Sequence, residues 1–320
     1  MKNSMLRNLG LTFVAASFGT AMVAGPALAE YPDRPITMMI GYKAGGGTDT
    51  VGRVLAKVMG EDLGQQINIV NKAGAGGGIA TIKLKKAKPD GYTILLNPST
   101  SLTLNPYLVK KLTYRIDDYT YAGMLTAYQA ALVAPIDRPY NNLKEFLAFA
   151  KKNPGTKYAA LNSTARMVMN VITKDSGLDI SIVPVKGGAG MLAVVFGGQV
   201  DLAYSGGIHQ QHPTKIKLIA AGTSSRQPLG PNIPTLREDG YDMSFDSFTT
   251  LIVPKKTPKA IVAKLEAALA KAAKNPDIIA LSARVSFPMA HRNGADATAE
   301  MHRQWRDYGK LIKATGTTAK

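Results

Sequence analysis

The stretch that decides the fold is residues 36–63, ITMMIGYKAGGGTDTVGRVLAKVMGEDL. It opens with Ile36–Ile40, a short apolar run typical of a buried strand. After the glycines at 45–47, apolar residues recur with the spacing of one helix face, and Thr48 or Asp49 is placed to cap that helix. A glycine loop that opens a helix presents unpaired backbone N–H groups and the positive end of the helix dipole. The stretch therefore predicts either an anion site or, with equal weight, a tight turn and nothing more.

The same design is repeated directly downstream. Residues 66–70 are a predicted strand, residues 71–78 form a second glycine loop, and a helix is expected from Ile79 onward. A third predicted strand, 93–96, ends in the hydroxyl-rich residues 97–101. Strands that alternate with helices predict a parallel sheet. The loops after its strands then open at one edge, where sheets of this class bind ligands.

The rest of the chain continues the alternation and predicts a second domain. Residues 114–121 are expected to be irregular, and strand 130–134 enters the second domain. A strand at 249–253 returns to the first domain. The predicted organisation is domain 1 at 30–127 plus 250–320 and domain 2 at 128–249. Two crossovers provide a hinge and a cleft, and closure on a ligand is the expected consequence. Further strands are predicted at 158–161, 180–185, 200–204 and 217–221. Helices are predicted at 102–109, after Asn142, after the loop 162–166, at 191–196 and at 300–312. A long helix is predicted with Thr257 as its cap and Pro258 at its first position, ending at Asn275-Pro276.

The N-terminus has the pattern of a secretory signal. Lys2 and Arg7 precede an apolar segment that ends in the small residues at 27–29. We predict a signal peptide at 1–29, cleaved after Ala29, and hence a periplasmic protein. A membrane anchor is disfavoured because the apolar run is short and is interrupted by Gly25 and Pro26.

The composition favours an anionic ligand over a nucleic acid. The formal net charge is +17, which attracts anions and accelerates their encounter. A polyanion-binding surface is the alternative, but the basic residues are dispersed. Their densest run, residues 83–88, has the spacing of a solvated helix face. No nucleic-acid partner is expected.

The sequence offers no catalytic constellation. Of its four histidines, His209 and His212 could lie near one another, but no acidic partner is close to them in sequence, and the chain contains no cysteine. His209 and His212 are expected to form a surface pair. No Gly-x-Ser-x-Gly nucleophile motif and no phosphate-binding loop occur, and Ile79 stands where a dinucleotide fingerprint needs a small residue. We therefore expect no catalytic residue, no metal and no cofactor.

A set of motifs, in order along the chain, resembles the extracytoplasmic solute-binding receptors of tripartite tricarboxylate transporters, also called the Bug family. The resemblance implies an α/β, two-domain periplasmic-binding-protein-like fold with two crossovers and a ligand cleft between the domains. It also implies a monomer that captures a small organic carboxylate and delivers it to membrane transporter subunits. The motifs lie at residues 31–36, 45–50, 71–77, 89–93, 105–108, 186–188, 197–202 and 234–236.

The resemblance also implies the positions of the ligand contacts. One carboxylate is expected to be held by backbone N–H groups and ordered waters at the two glycine loops, where a Cβ would block the approach. Asp49 is expected to cap the helix and orient water, because its charge repels a carboxylate. The first-domain residues are Ala44, Gly45, Gly46, Thr48, Asp49, Ala75 and Gly76, with Ser99 and Thr100. The second-domain residues are Ser163, Thr164, Arg166, Lys186, Gly187, Gly188 and Ser205.

Several residues depart from the family pattern and leave alternatives open. Lys43 stands where an apolar residue is usual, and Val185 where an aromatic residue is common. On the second-domain side, Arg166 either holds a second carboxylate through its forked guanidinium or is a surface charge. Ser163 and Thr164 are either ligand contacts or helix caps, and Lys186 either faces the ligand or points to solvent. A secreted enzyme that acts on a small anionic substrate in the same cleft is the alternative function.

Overall fold

The first sheet begins as the sequence predicts. The structure is a computed structural model that describes residues 31–228 and 230–319; the predicted signal peptide and its cleavage point lie outside the described residues. Two strands pair with the first strand in parallel, one on each side. The predicted parallel arrangement is therefore confirmed. Its elements are β1 (Ile36–Ile40), α1 (Gly47–Leu63), β2 (Ile67–Asn71), α2 (Gly78–Lys85) and β3 (Thr93–Pro98).

Three antiparallel strands complete this sheet to six strands. They are β4 (Tyr119–Ala127), β10 (Phe248–Pro254) and β11 (Met289–Arg292), and the order is β11-β4-β10-β3-β1-β2. The expectation of irregular structure across 114–121 is wrong from Tyr119 onward. Since nearly every residue of β4 is buried, the strand lacks the alternation of polar and apolar residues that identifies a half-exposed strand.

The second sheet contains five strands in the order β7-β6-β8-β5-β9. Strands β7 and β8 flank β6 in parallel, whereas the remaining two pairings are antiparallel. The loops that follow the three parallel strands therefore open at one edge. The strands are β5 (Ala131–Pro135), β6 (Lys157–Ala160), β7 (Ser181–Pro184), β8 (Leu202–Ser205) and β9 (Ile216–Ala221).

Helix boundaries follow local capping where the sequence offers a strong cap. Helix α5 (Leu143–Lys152) starts as predicted: the side chain of Asn142 accepts from the Glu145 N–H at 2.9 Å. Two further helices cover the second sheet: α6 (Ser163–Ser176) and α7 (Gly187–Phe196). The predicted helix at 102–109 is two short helices, α3 (Thr100–Thr103) and α4 (Asn105–Leu108). Pro106 has no N–H with which to continue the first of these.

The C-terminal helices correct three predictions. Helix α8 (Lys259–Ala272) has Pro258 as its N-cap, one residue outside the helix. Asn275 and Pro276, expected only to end it, also start another helix, α9 (Pro276–Val285), whose cap is the Asn275 side chain bonded to the Asp277 N–H at 2.8 Å. Asparagine at the cap and proline in the first turn are favourable start signals. The last helix is α10 (Gly294–Thr315), longer than predicted at both ends.

The chain passes between the two sheets twice, as the sequence predicts. Residues 128–130 lead from the first sheet to the second, and residues 222–247 lead back. Leu108 of α4 and Tyr308 of α10 join the apolar core of the second sheet, so the two parts pack closely. Residues from Tyr31 onward form one compact unit, and the exact limits of the two domains stay a prediction. No helix among residues 31–228 and 230–319 has the length and apolar character needed to span a bilayer.

Candidate functional site

The first glycine loop connects β1 to α1, so that helix α1 starts at the edge of the first sheet. The N-cap is Gly46, and no side chain caps the helix, so the prediction that Thr48 or Asp49 caps it is wrong. Helix α1 starts earlier than expected, which places both residues inside its first turn. The N–H groups of that turn have no acceptor within the helix and lie at the positive end of its dipole. Ala44 and Gly45 are exposed, and Gly46 is half-buried.

Asp49 is a buried charged residue whose carboxylate is hydrogen-bonded by neighbouring groups. The residue is 1% exposed, and its carboxylate accepts from the Gly45 N–H (2.9 Å) and from Nδ2 of Asn71 (2.8 Å). The guanidinium of Arg53 donates two further bonds, of 2.8 and 3.1 Å. Burial alone would raise the pKa of Asp49, but these hydrogen bonds outweigh it and hold the pKa below its ordinary value. The carboxylate stays ionised, and the Gly45 N–H, predicted to meet a ligand, is already used.

The second glycine loop has a strained backbone that side chains hold in place. Its φ angles are positive at Gly74, Ala75, Gly76 and Gly77, which explains the glycines and leaves Ala75 as the unusual residue. The Gly76 carbonyl oxygen accepts from the hydroxyls of Tyr42 (3.0 Å) and Ser101 (2.8 Å). Nδ2 of Asn105 donates to the same oxygen at 2.7 Å and to the Ala75 carbonyl oxygen at 3.2 Å.

These bonds determine which way the N–H groups of the loop face. In a trans peptide the N–H and the C=O point in opposite directions. The Gly74 carbonyl accepts from the Gly77 N–H at 3.0 Å, and the Ala75 carbonyl accepts from Asn105. The N–H groups of Ala75 and Gly76 are therefore directed away from these partners. Ala75 is exposed and Gly76 is half-buried, and neither N–H has an acceptor within the described residues, so both are candidate donors to an anion.

The loop after β3 is hydrogen-bonded to the chain segment that returns from the second sheet. Ser99 is fully buried, and its hydroxyl accepts from the Phe248 N–H at 3.1 Å, so in this structure it fixes β10. Thr100 is half-buried, and its hydroxyl lies 3.1 Å from the hydroxyl of Ser247. Both residues, predicted to contact ligand, connect the loop to the chain that returns from the second sheet.

The loop after β6 leads into α6, which starts at the edge of the second sheet. Asn162 is the cap: its side chain accepts from the Ala165 N–H at 2.8 Å. Ser163 and Thr164 therefore do not cap the helix; the first is half-buried and the second buried. Arg166 is half-buried, and its guanidinium has no hydrogen bond or ion pair within the part of the chain that the structure describes.

The loops after β7 and β8 differ in exposure. Lys186 and Gly187 are exposed, and Gly188 is half-buried beside Ile208. Ser205 is fully buried, and its hydroxyl accepts from the Gly207 N–H at 3.2 Å and lies 2.9 Å from Nδ1 of His209. In this structure Ser205 thus holds its own loop.

His209 is buried, so the prediction of a surface histidine pair is wrong for this residue. Burial lowers the pKa of His209 to about 4, which leaves the ring neutral near pH 7. Within residues 31–228 and 230–319, no three histidine or acidic side chains come together as a metal site would require.

One aromatic side chain shows that the two loop edges face each other. Phe287 follows α9 and is 3% exposed. A methyl group on Gly47, at the start of α1, would come within 2.7 Å of its Cζ, and one on Gly207, after β8, within 2.5 Å of its Cε1. The ring of Tyr128, in the first crossover, packs on Phe287 with centroids 4.9 Å apart. The Tyr128 hydroxyl lies 2.7 Å from the hydroxyl of Thr48.

Several residues that shape the site were not predicted. Tyr42, Ser101, Asn105 and Phe287 all act on loops distant from them in sequence. Two of them had a signal: Asn105 lies in one of the motifs that carry the family resemblance, and Ser101 lies in the hydroxyl-rich segment after the third predicted strand. Glycine loops at the edge of the first sheet thus face helix starts at the edge of the second sheet, an arrangement typical of solute-binding proteins.

Comparisons with known proteins agree with this class. A sequence profile described as "TctC: Tripartite tricarboxylate transporter family receptor" matches residues 51–317. "UPF0065 protein in gbd 5'region" of Cupriavidus necator is 32% identical over 285 residues, 86% of either chain. The periplasmic binding protein BugD is 30% identical, with a TM-score of 0.79 over 91% of this chain and 100% of BugD. MatC of Rhodopseudomonas palustris, solved with bound malate, is 27% identical, with a TM-score of 0.79 over 88% of this chain and 100% of MatC.

The chain belongs to the tripartite tricarboxylate transporter receptor family. The resemblance seen in the sequence and the predicted fold class are both confirmed. Its members are solute-binding receptors, and this protein is a solute-binding protein of that family.

Proposed function

We propose that this protein captures a small organic carboxylate between the two glycine loops and the second sheet, and delivers it to the membrane subunits of a tripartite transporter. The observation that carries the proposal is the pair of glycine loops after the adjacent parallel strands β1 and β2. Their N–H groups are supplied by the start of α1 and by Ala75 and Gly76. An anion gains both hydrogen bonds and the favourable end of a helix dipole there.

The distal end of the ligand would meet the second sheet. Arg166 is the strongest candidate because its guanidinium is unpaired within the described residues and a guanidinium can bind a carboxylate with two parallel bonds. Thr164, Lys186, Gly187 and Gly188 remain proposed contacts. The malate in the related MatC, a dicarboxylate, supports an acid with two carboxyl groups.

The proposal also includes the cellular location, processing and oligomeric state of the protein. Family membership supports a periplasmic location. The N-terminal sequence pattern is the basis for proposing removal of residues 1–29, and we propose that the receptor is a monomer. The protein would bind and release its ligand unchanged rather than act as an enzyme.

A ligand screen on the secreted form, residues 30–320, tests the function. The panel would contain malate, adipate, citrate, glutamate and benzoate, with the matched amide or alcohol of each as control. At a ligand concentration of 100 times Kd, binding stabilises a protein by about 2.7 kcal/mol, which raises its Tm measurably. We expect one acid or more to raise the Tm and its uncharged control to leave it unchanged. Failure of every acid would contradict the carboxylate proposal, and a chemically altered acid after incubation would favour the enzyme.

Ligand binding is also expected to compact the protein. The two sheets are connected by two crossovers, so a ligand held by loops of both sheets stabilises the closed arrangement. Small-angle X-ray scattering should show a smaller radius of gyration with a binding acid from the panel than with its uncharged control. Superimposable curves would indicate a rigid cleft.

A further inference from the structure

We propose that Asn71 and Tyr42 are positioning residues that lock the two glycine loops into a single anion-binding unit. The inference rests on the proposed function, because it concerns how the same loops are held ready for a carboxylate. Neither side chain need touch the ligand; each acts on the backbone of the opposite loop.

Asn71 acts from the second loop on the first. It is the last residue of β2, where the second loop begins. Its Nδ2 donates to the Tyr42 carbonyl oxygen at 2.9 Å and to Oδ1 of Asp49 at 2.8 Å. Asn71 thereby fixes the residue that leads into the first loop and the carboxylate that receives the Gly45 N–H.

Tyr42 acts from the first loop on the second. Its hydroxyl donates to the Gly76 carbonyl oxygen at 3.0 Å, in the middle of the strained segment. The same hydroxyl lies 3.3 Å from Oγ of Ser101. Burial raises the pKa of Tyr42, so the hydroxyl keeps its proton and remains a donor.

The two contacts run in opposite directions between the loops. Displacing either loop breaks a bond that holds the other, so the N–H groups from both are expected to keep a fixed spacing. Such preorganisation lowers the ordering cost of binding. It also explains the amide at position 71: both Nδ2 hydrogens go to oxygen acceptors, and Oδ1 lies 3.5 Å from Nη2 of Arg53. A carboxylate there would place oxygen against oxygen.

Hydrogen exchange of the ligand-free protein tests the coupling directly. Asn71→Ala is expected to speed exchange of the amides at 43–49, and Tyr42→Phe that of the amides at 74–78, by about tenfold for each hydrogen bond lost between the loops. The amides of β3 should be unaffected in both variants. Asn68→Ala is the matched control, since Asn68 lies on the same strand, is exposed and makes no side-chain hydrogen bond within the described residues. The coupling would be refuted if Asn71→Ala changed exchange only in the second loop and Tyr42→Phe only in the first. It would also be refuted if neither variant changed exchange in either loop.

Affinity and its pH dependence separate positioning from general stability. Against each panel acid that binds the wild type, Asn71→Ala and Tyr42→Phe should weaken binding about tenfold, and Asn68→Ala should not. Asn71→Asp places a new carboxyl group beside Asp49, with the Arg53 guanidinium as the other titratable group facing it. Its affinity relative to the wild type should fall near pH 7 and recover towards about pH 5, where the two carboxyl groups share a proton. If the ratio of the Asn71→Asp affinity to the wild-type affinity does not change with pH, Asn71 is not a positioning residue.

The outcomes of the two proposals are distinguishable. If no acid binds the wild type, the proposed function fails while the exchange experiment still decides whether the loops are coupled. If acids bind and both variants bind equally well, the function stands and the positioning role is refuted.

Discussion

Gly46→Val is expected to abolish carboxylate binding and to leave the fold intact. Gly46 has φ −81° and ψ 165°, angles that any residue adopts. A Cβ there would meet only the Lys43 carbonyl oxygen, at 3.4 Å, which is an ordinary contact. The branched side chain would occupy the space in front of the N–H groups that open α1. Because hydrogen bonds to a charged group are each worth about 1.5–3 kcal/mol, the loss of two or more lowers affinity at least about 100-fold.

Calorimetry with a binding acid measures this loss, and the thermal transition reports the fold. Valine is a poor N-cap residue and should cost about 1 kcal/mol of stability, far less than unfolding requires. Gly46→Ala, with one methyl group, should weaken binding less than Gly46→Val. Gly47→Ala provides the contrast, because its methyl group would collide with Phe287 and lower the Tm. Unchanged affinity in Gly46→Val would mean that the loop is only a turn.

Arg166→Ala is expected to weaken dicarboxylates far more than matched monocarboxylates. In the proposed function the glycine loops hold one carboxylate whatever the rest of the acid is, so discrimination among acids has to come from the second-sheet side. Arg166 lies in the first turn of α6, at the loop edge of the second sheet. Removing one charged hydrogen-bonding partner should cost about 1.5–3 kcal/mol for the diacid, or about 10- to 100-fold in Kd.

Calorimetry on a diacid and its monoacid analogue decides this prediction. The control is Lys174→Ala, which removes the same charge from the last turn of α6, about 12 Å further along the helix. It should change neither affinity by a comparable amount, since exposed charges at that distance are largely screened. Equal losses for both acids in Arg166→Ala, or no loss, would remove Arg166 from the site.

The sequence by itself determined the elements whose signals are local. β1 could be predicted because a short apolar run ends at glycines, and α1 because its apolar residues recur at helical spacing. The start of α5 followed from Asn142 and Glu145, three residues apart, which bond each other across the first turn. The glycine loops and their likeness to a receptor family also led to the proposed position of the carboxylate site, which stays a prediction. All of these depend on contacts between residues close in sequence.

The tertiary structure alone decided which groups in those loops are available. The N–H of Gly45 is used by Asp49, and the hydroxyl of Ser205 by its own loop. The Gly76 carbonyl oxygen is hydrogen-bonded by side chains that lie far from it in sequence. Phe287, near the C-terminal end of the chain, packs against Gly47. Strand β4 was missed for the same reason, since burial on both faces removes the alternation that would reveal it. Such contacts form only when distant segments pack, and packing against a distant partner leaves no periodicity in the sequence.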